Sequence, residues 1–133
     1  MASFSDYLEN KVLDHLFGKT TFTMPSTVYF ELYTAAPSDS GGGTVVSGGS
    51  YARASVSNND TTFPDAVSGS TSNSVAVSFP NATANWGTVV AIGMFDQSTG
   101  GNLLLHETLS SSLAVNSGDT PKVDIGDLTI SLD

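Results

Sequence analysis

The stretch NSVAVSFPNATANWGTVVAIGMFD, residues 73–96, decides the fold of this 133-residue chain. Its first part alternates apolar with small side chains up to Phe79, a period of two that predicts a strand with one buried face. Pro80 cannot donate to a sheet ladder, so this strand is expected to end there. After a polar corner, Trp86 precedes a nearly continuous apolar run over residues 89–95, which predicts a strand covered on both faces. Trp86, the only tryptophan, is therefore the expected plug of the core.

Further short strands, separated by turns, are predicted on both sides of this stretch. In residues 27–34, bulky side chains occupy both faces, and the turn at residues 96–102 predicts a hairpin. Residues 20–133 are therefore expected to form one all-β domain, a β-sandwich or jelly roll. The main predicted strands outside the opening stretch are residues 27–34, 51–57, 103–109 and 122–133, with a polar link expected at 110–112 and a short strand at 20–24.

One helix is predicted, at residues 3–17. Ser3 or Ser5 can cap its beginning, and Gly18 tolerates the left-handed conformation that often ends a helix. We expect residues 1–19 either to pack across one end of the sheet or to dock partly on a partner subunit. The apolar stripe of this helix repeats every four residues and consists of Phe4, Leu8, Val12 and Leu16, widened by Leu13 and Phe17.

The charge balance argues against several classes of partner. The chain has thirteen acidic and four basic residues and a formal net charge of −9. Without a basic stripe to neutralise phosphates, we expect no binding to nucleic acid. No apolar run approaches ~18 residues, so we expect neither a membrane span nor a signal peptide. The chain has no cysteine, which removes disulfides and thiolate metal sites.

The residues that could carry chemistry do not form a recognisable catalytic pattern. His15 and His106 are far apart in sequence, and no Gly-x-Ser-x-Gly element frames a serine. The glycines at residues 41–43 lack the strand before and the lysine-bearing helix after that a phosphate-binding loop needs. Asp124 and Asp127 are three apart in a predicted strand, so they point to opposite faces. We therefore expect no catalytic residues, no cofactor and no metal site.

Several blocks of the sequence, taken together, resemble small virion proteins of tailed bacteriophages. The blocks are FSDYLENKVLDHLFG at residues 4–18, VYFELYTAAP at 28–37, GGSYAR at 48–53, ANWGTVVAIGMFD at 84–96 and GGNLLLH at 100–106. Proteins of this kind are usually labelled short tail-fibre-like proteins, and similar small β-sandwiches also serve as head decoration (cement) proteins. The resemblance implies a structural protein of the virion, assembled in the host cytoplasm, and it brings no catalytic residues with it.

The resemblance leaves two positions in the particle open. A receptor-reaching fibre normally needs a coiled coil or repeated β-structure, and this chain has neither. We therefore expect a capsid decoration protein that clamps the major capsid protein on the head exterior, through the helix or the glycine-rich loop at residues 35–49. We expect a symmetric homo-oligomer, a trimer in preference to a dimer. The alternative is a tail-fibre or baseplate appendage that binds host carbohydrate through its loops. Exposure of Tyr51 or Phe63 would favour the alternative, and their burial would favour the clamp.

A small set of residues is predicted to contact the partner, whether that is the major capsid protein or a tail protein. Some lie on the apolar or adjacent face of the helix, and others lie on the second face of the strand at residues 27–34. Arg53 is included because arginine is enriched at interfaces and the chain has only four basic residues. The predicted contact residues are Phe4, Tyr7, Leu8, Lys11, Tyr29, Glu31 and Arg53.

Overall fold

A computed structural model describes residues 2–132 of the chain. Met1, in the predicted N-terminal segment 1–19, and Asp133, at the end of the predicted strand 122–133, lie outside the described residues. The described part has ten strands and one helix, which confirms an all-β fold with a single helix. In chain order the elements are β1 (Ser3–Phe4), α1 (Asp6–Leu16), β2 (Thr27–Ala35), β3 (Thr44–Val45), β4 (Ala54–Ser57), β5 (Ser70–Ser72), β6 (Val77–Ser78), β7 (Gly87–Phe95), β8 (Leu103–Val115), β9 (Lys122–Val123) and β10 (Thr129–Ser131).

Six of the strands form one antiparallel sheet in the order β1-β8-β7-β2-β3, with β4 pairing to the same edge of β2 as β3. The other four strands form two short antiparallel ribbons, β5 with β10 and β6 with β9. Val77 of β6 and Leu128, just before β10, join the hydrophobic core beneath the sheet. The core therefore lies between one continuous sheet and a layer made of ribbons and loops.

Strand β7 occupies the middle of the sheet, as its apolar sequence predicts. It pairs with β2 on one edge and β8 on the other. Ile92 and Met94 belong to the core, whereas Gly93 faces the opposite side of the sheet. A Cβ atom at Gly93 would lie 3.0 Å from side-chain atoms of Tyr33 and Leu103, so this second face is also closely packed. The prediction of a strand covered on both faces is confirmed.

Trp86 is buried, with 5% of its surface exposed, and fills the core as expected. Its indole Nε1–H donates to the carbonyl oxygen of Gly49 at 2.9 Å, and the ring of Tyr51 packs edge-on at 5.1 Å between centroids. Gly49 has a positive φ of 54°, and a Cβ atom there would lie 2.8 Å from Trp86 Nε1. The glycine-rich loop is therefore held to the core by a contact that only glycine permits.

The helix begins later than its sequence pattern predicts. Residues Ser3–Phe4 pair with β8 as strand β1, so the helix starts only at Asp6. Ser5 is the cap: its Oγ accepts from the Leu8 backbone N–H at 3.2 Å and donates to the Leu103 carbonyl oxygen. Gly18, with φ at +82°, follows the last turn as expected. The prediction of a helix from residue 3 was wrong because the edge of β8 recruits the first residues into the sheet.

The strand predicted before Pro80 is also shorter than expected, and it begins at Val77. The reason is Asn73, whose side chain is buried and replaces backbone pairing at this position. Its Nδ2 donates to the carbonyl oxygens of Val75 and Asp124, and its Oδ1 accepts from the Leu128 N–H at 3.0 Å. One buried amide therefore ties the ends of both ribbons together, where the sequence pattern indicated a continuous strand.

Strand β8 runs through the polar segment that was predicted to be a link. Ala91 pairs with Thr108, but Val89 pairs with Leu113, so residues 109–112 bulge out of the β7–β8 ladder. Three other predicted strands differ, and one of them, β4, begins at Ala54 instead of residue 51. Residues 20–24 form no strand, and the C-terminal segment forms the two short strands β9 and β10 instead of one. A period-two pattern indicates which side chains of a strand face the core. It does not show where the pairing with the next strand changes register.

Replacing Trp86 with phenylalanine tests whether this side chain plugs the core. The change removes the hydrogen bond to Gly49 and leaves part of the indole volume empty, so we expect the free energy of unfolding to fall by about 1–3 kcal/mol. Urea denaturation followed by circular dichroism measures the difference. Val67→Ala is the control, because Val67 is 74% exposed and should change stability by less than about 0.5 kcal/mol. Equal stabilities for the two variants would show that Trp86 is not the plug.

Candidate functional site

The face of the sheet that points away from the hydrophobic core carries most of the predicted contact residues outside the helix. On β2 it presents Tyr29, Glu31 and Tyr33, and Tyr29 pairs in register with Phe95 on β7. Arg53, just before β4, reaches Glu31 on this face. We call this the polar face and define it by Tyr29, Glu31, Tyr33, Arg53 and Phe95.

Arg53 is the centre of the polar face. Its Nη2 lies 2.7 Å from Glu31 Oε2, and both side chains are only 9% exposed. Its Nη1 donates to the carbonyl oxygens of Gln97 at 2.7 Å and Gly100 at 2.8 Å. The guanidinium carbon also lies 3.8 Å from the centroid of the Phe95 ring. One planar, permanently charged group therefore connects β2, the approach to β4 and the turn between β7 and β8.

The buried tyrosines on and near this face have altered acidity. Burial raises the pKa of Tyr33 to about 12, the negative charge of Glu31 adds to the rise, and the positive charge of Arg53 opposes it. Burial also raises the pKa of Tyr51, whose hydroxyl oxygen accepts from the Leu32 N–H at 2.8 Å. Both phenols are held in their neutral form, which is the form that a buried site favours.

An open pocket of about 550 Å³ lies between the polar face and the start of the helix. Carboxylates of Asp6, Glu31 and Asp39 line it, so its potential disfavours anions. Asp39 Oδ1 lies 2.9 Å from His106 Nε2, which attaches the glycine-rich loop to β8. Among residues 2–132, no group of three or more His, Cys, Asp or Glu side chains is arranged to hold a metal ion. The pocket can accept neutral or cationic polar groups.

The C-terminal end of the helix is apolar and exposed. We call Leu13, Leu16 and Phe17 the helix tip; their side chains are 54%, 66% and 75% exposed. At the other end of the helix, Tyr7 and Leu8 are partly buried and pack against the core. The first turns of the helix therefore pack on the sheet, as one alternative predicts. The last turn presents an apolar surface to solvent, and its docking on a partner subunit, the other alternative, stays a prediction.

The predicted contact residues fall into two groups in the structure. Phe4 in β1 and Tyr7 and Leu8 in the helix pack against the core, and Lys11 Nζ lies 5.5 Å from the centroid of the Tyr7 ring. Tyr29 is half-buried on the polar face, and Glu31 and Arg53 are engaged with each other. Their contact with a partner stays a prediction. The pairing of Asp39 with His106 was not foreseen, since the two lie 67 residues apart in sequence.

The two loop aromatics that were to discriminate between the alternatives are not free platforms. Tyr51 and Phe63 are both half-buried and pack against the hydrophobic core. The Tyr51 hydroxyl is used by Leu32, and its ring contacts Trp86. On the stated criterion, this arrangement favours the clamp over sugar stacking by these two side chains.

Over residues 2–132, no helix has the length and apolar character needed to cross a membrane.

Removing the charge partner of Glu31 tests the role of Arg53. Arg53→Met leaves a buried carboxylate without its cation, so we expect the free energy of unfolding to fall by about 3–5 kcal/mol. The double variant Glu31→Gln/Arg53→Met should lose less, because no buried charge remains. Lys122→Met is the control: Lys122 and Asp124 form an exposed pair, worth at most about 1 kcal/mol. A double variant less stable than Arg53→Met alone would contradict this account.

Alkaline titration tests the burial of Tyr33. Because its folded-state pKa is raised above the ordinary 10.0, its contribution to stability is fully present below pH 10 and is lost as the pH rises to about 12. We expect Tyr33→Phe to show a smaller fall in the free energy of unfolding over this range than the wild type. Urea denaturation at successive pH values measures both curves. Lysine titration affects both proteins in the same way, so it does not alter the difference between them. Parallel curves would mean that the Tyr33 phenol is not buried as described.

Comparison with known proteins identifies the family. The family model described as "Podophage GP4 fiber I protein gp80" matches residues 3–131, a range that contains every element from β1 to β10. No curated protein is significantly similar to the chain in sequence. The match confirms the resemblance to small virion proteins of tailed phages, and it makes the protein a structural component of a phage virion. The chain belongs to the family of the podophage GP4 fiber I protein gp80.

Proposed function

We propose that this chain is a non-catalytic structural module of a podophage fibre. The observation that carries the proposal is the family match over residues 3–131. Since this range takes in the whole sheet, both ribbons and the helix, the chain shares its complete domain with the fibre family and not merely an attachment segment.

The surface of the domain supports a role in assembly. A compact domain of this size adds length to a fibre only by joining other subunits, and the helix tip offers an apolar surface for such a contact. The half-buried positions of Tyr51 and Phe63 weigh against sugar stacking by these two side chains, in a fibre as on the head. The partners in this proposal are further copies of the chain and other tail proteins of the same particle.

The fibre proposal reverses the order of the two alternatives drawn from the sequence. A capsid decoration protein was preferred there because the chain lacks a coiled coil and repeated strands. The family name fits the tail-fibre alternative instead. Decoration of the head is therefore the competing outcome, and a position on the particle separates the two.

Immunogold labelling of intact particles tests the proposal. We expect antibodies raised against the purified chain to label fibres at the tail, in the same places on most particles. Particles that lack the chain should keep the heat resistance of their heads, because a fibre module adds no interface to the shell. Gold distributed over the head, together with heads that break at lower temperature without the chain, would establish decoration and refute the fibre role.

A further inference from the structure

The open pocket between the polar face and the start of the helix contains polar atoms that the fold leaves without partners. We call it the acidic pocket and define it by Asp6, Glu31, Tyr33 and Asp39, which belong to the helix, to β2 and to the glycine-rich loop. Its volume of about 550 Å³ lies in the range of small-molecule sites. The free polar atoms of these four side chains indicate what the pocket can bind.

Tyr33 gives the first indication of a ligand. Only 2% of its surface is exposed, yet its hydroxyl forms no hydrogen bond with another residue of the range 2–132. Within the same range, no fully buried side-chain oxygen lacks a partner, so the hydroxyl belongs to the small part of Tyr33 that stays exposed. Because Tyr33 lines the acidic pocket, its hydroxyl is available to a polar group that enters there.

The three carboxylates of the pocket also keep unused oxygens. Glu31 meets Arg53 through Oε2 and leaves Oε1 without a partner in residues 2–132. Asp39 meets His106 through Oδ1 and leaves Oδ2 free in the same way. The Asp6 carboxylate has no side-chain partner in the described chain, although the first turn of a helix favours a negative charge. The Asp6 backbone N–H donates to the Asp39 carbonyl oxygen at 3.0 Å, which keeps these two acidic residues beside each other.

The basic side chains of the described chain do not neutralise this group. Among the lysines and the one arginine, only Arg53 contacts a carboxylate of the pocket, and it offsets the charge of Glu31. Lys11 Nζ lies 5.5 Å from the centroid of the Tyr7 ring and is not paired with an aspartate of the pocket. The other two lysines pair with aspartates elsewhere. His106 adds a positive charge only when it is protonated. The pocket therefore keeps a net negative charge, which attracts a cation.

The chemistry of the pocket selects the kind of cation. Carboxylate oxygens accept hydrogen bonds and cannot donate them, whereas an ammonium group donates and cannot accept. Within residues 2–132, no group of three or more His, Cys, Asp or Glu side chains is arranged to hold a metal ion. Val45, Phe95 and Leu103 provide an apolar wall that a metal ion would not use but an alkyl chain would cover. A cation with an ammonium group on an apolar chain is the complement of this lining.

We infer that the acidic pocket binds an organic ammonium ion, either a free aliphatic amine or the side chain of a lysine on a partner protein. The ammonium group donates to the free oxygens of Asp6 and Asp39, which bring most of the uncompensated charge. The Tyr33 hydroxyl accepts a further hydrogen bond, and the alkyl chain lies on the apolar wall. This inference goes beyond the proposed fibre role and does not rest on it, because binding is measured on the purified chain alone.

Amide NMR titration of the isotopically labelled full-length chain tests the inference, with the diamine cadaverine as the probe. At low salt we expect a Kd on the order of 1 mM and shifts centred on the amides of Asp6 and of residues 39–42. Asp6→Asn and Tyr33→Phe should each raise the Kd at least roughly fivefold. Neither variant removes a side-chain hydrogen bond that the described chain makes, so circular dichroism should show both folded.

A matched control separates the pocket from the acidity of the whole chain. Asp60→Asn removes the same charge from an exposed position outside the pocket, so it should bind cadaverine like the wild type. An equal loss of affinity in Asp60→Asn and Asp6→Asn would mean that the amine follows the net charge, and it would overturn the inference. A wild-type chain whose amide signals do not shift up to roughly 20 mM cadaverine, far above the expected Kd, would overturn it too.

Two further probes establish the ligand chemistry and its source. The neutral diol of the same chain length should bind at least roughly tenfold more weakly than cadaverine, and equal binding would refute an ammonium site. Lysine blocked at its amino and carboxyl groups presents the side chain as a partner protein would. Binding of this probe within about threefold of cadaverine supports a lysine of a partner as the source, and weaker binding supports a free amine. All of these results are independent of where gold labels the particle.

Discussion

The pairing of Arg53 with Glu31 is the interaction on which the rest of the structure depends. Strand β2 is buried on both sides, with Phe30 in the hydrophobic core and Glu31 on the polar face. A carboxylate in such a strand would cost several kcal/mol if it lacked a partner. Arg53 supplies the opposite charge, and its Nη1 donates to the turn between β7 and β8. Strand β2, the approach to β4 and the turn between β7 and β8 are thereby joined, and a charged residue becomes part of a closely packed surface.

Because this charge pair is used inside the domain, the exposed helix tip is the surface that we propose for assembly. Arg53 is buried, and the aromatic side chains of Tyr51 and Trp86 hold the glycine-rich loop against the core. The helix is attached at its beginning, where Ser5 and its neighbours join it to β8, but its last turn extends into solvent. An exposed apolar projection on an acidic domain is suited to contact another subunit. The family match is consistent with that role, because a fibre is built from repeated contacts between subunits.

The sequence predicted the parts of the fold that rest on local pattern. The apolar run around Ile92 identified the central strand, and the polar corner before Trp86 identified the core plug. The pattern failed where a distant partner decides the outcome. The Asn73 side chain takes the place of strand pairing because it bonds to segments more than fifty residues away. Residues Ser3–Phe4 pair with β8 instead of beginning the helix. Arg53 was predicted to contact a partner because basic residues are scarce in the chain, and that contact stays a prediction. No local signal in the sequence could reveal its pairing with Glu31.

The most direct test of the account is a cryo-electron microscopy map of the intact particle at a resolution that shows side chains. The account predicts that density for this chain lies in a fibre, with Leu16 and Phe17 of each copy buried against a neighbouring subunit. Density repeated over the head shell would contradict the fibre role. A fibre in which the helix tip faces solvent would contradict the claim that this end of the helix is the contact through which the domain assembles.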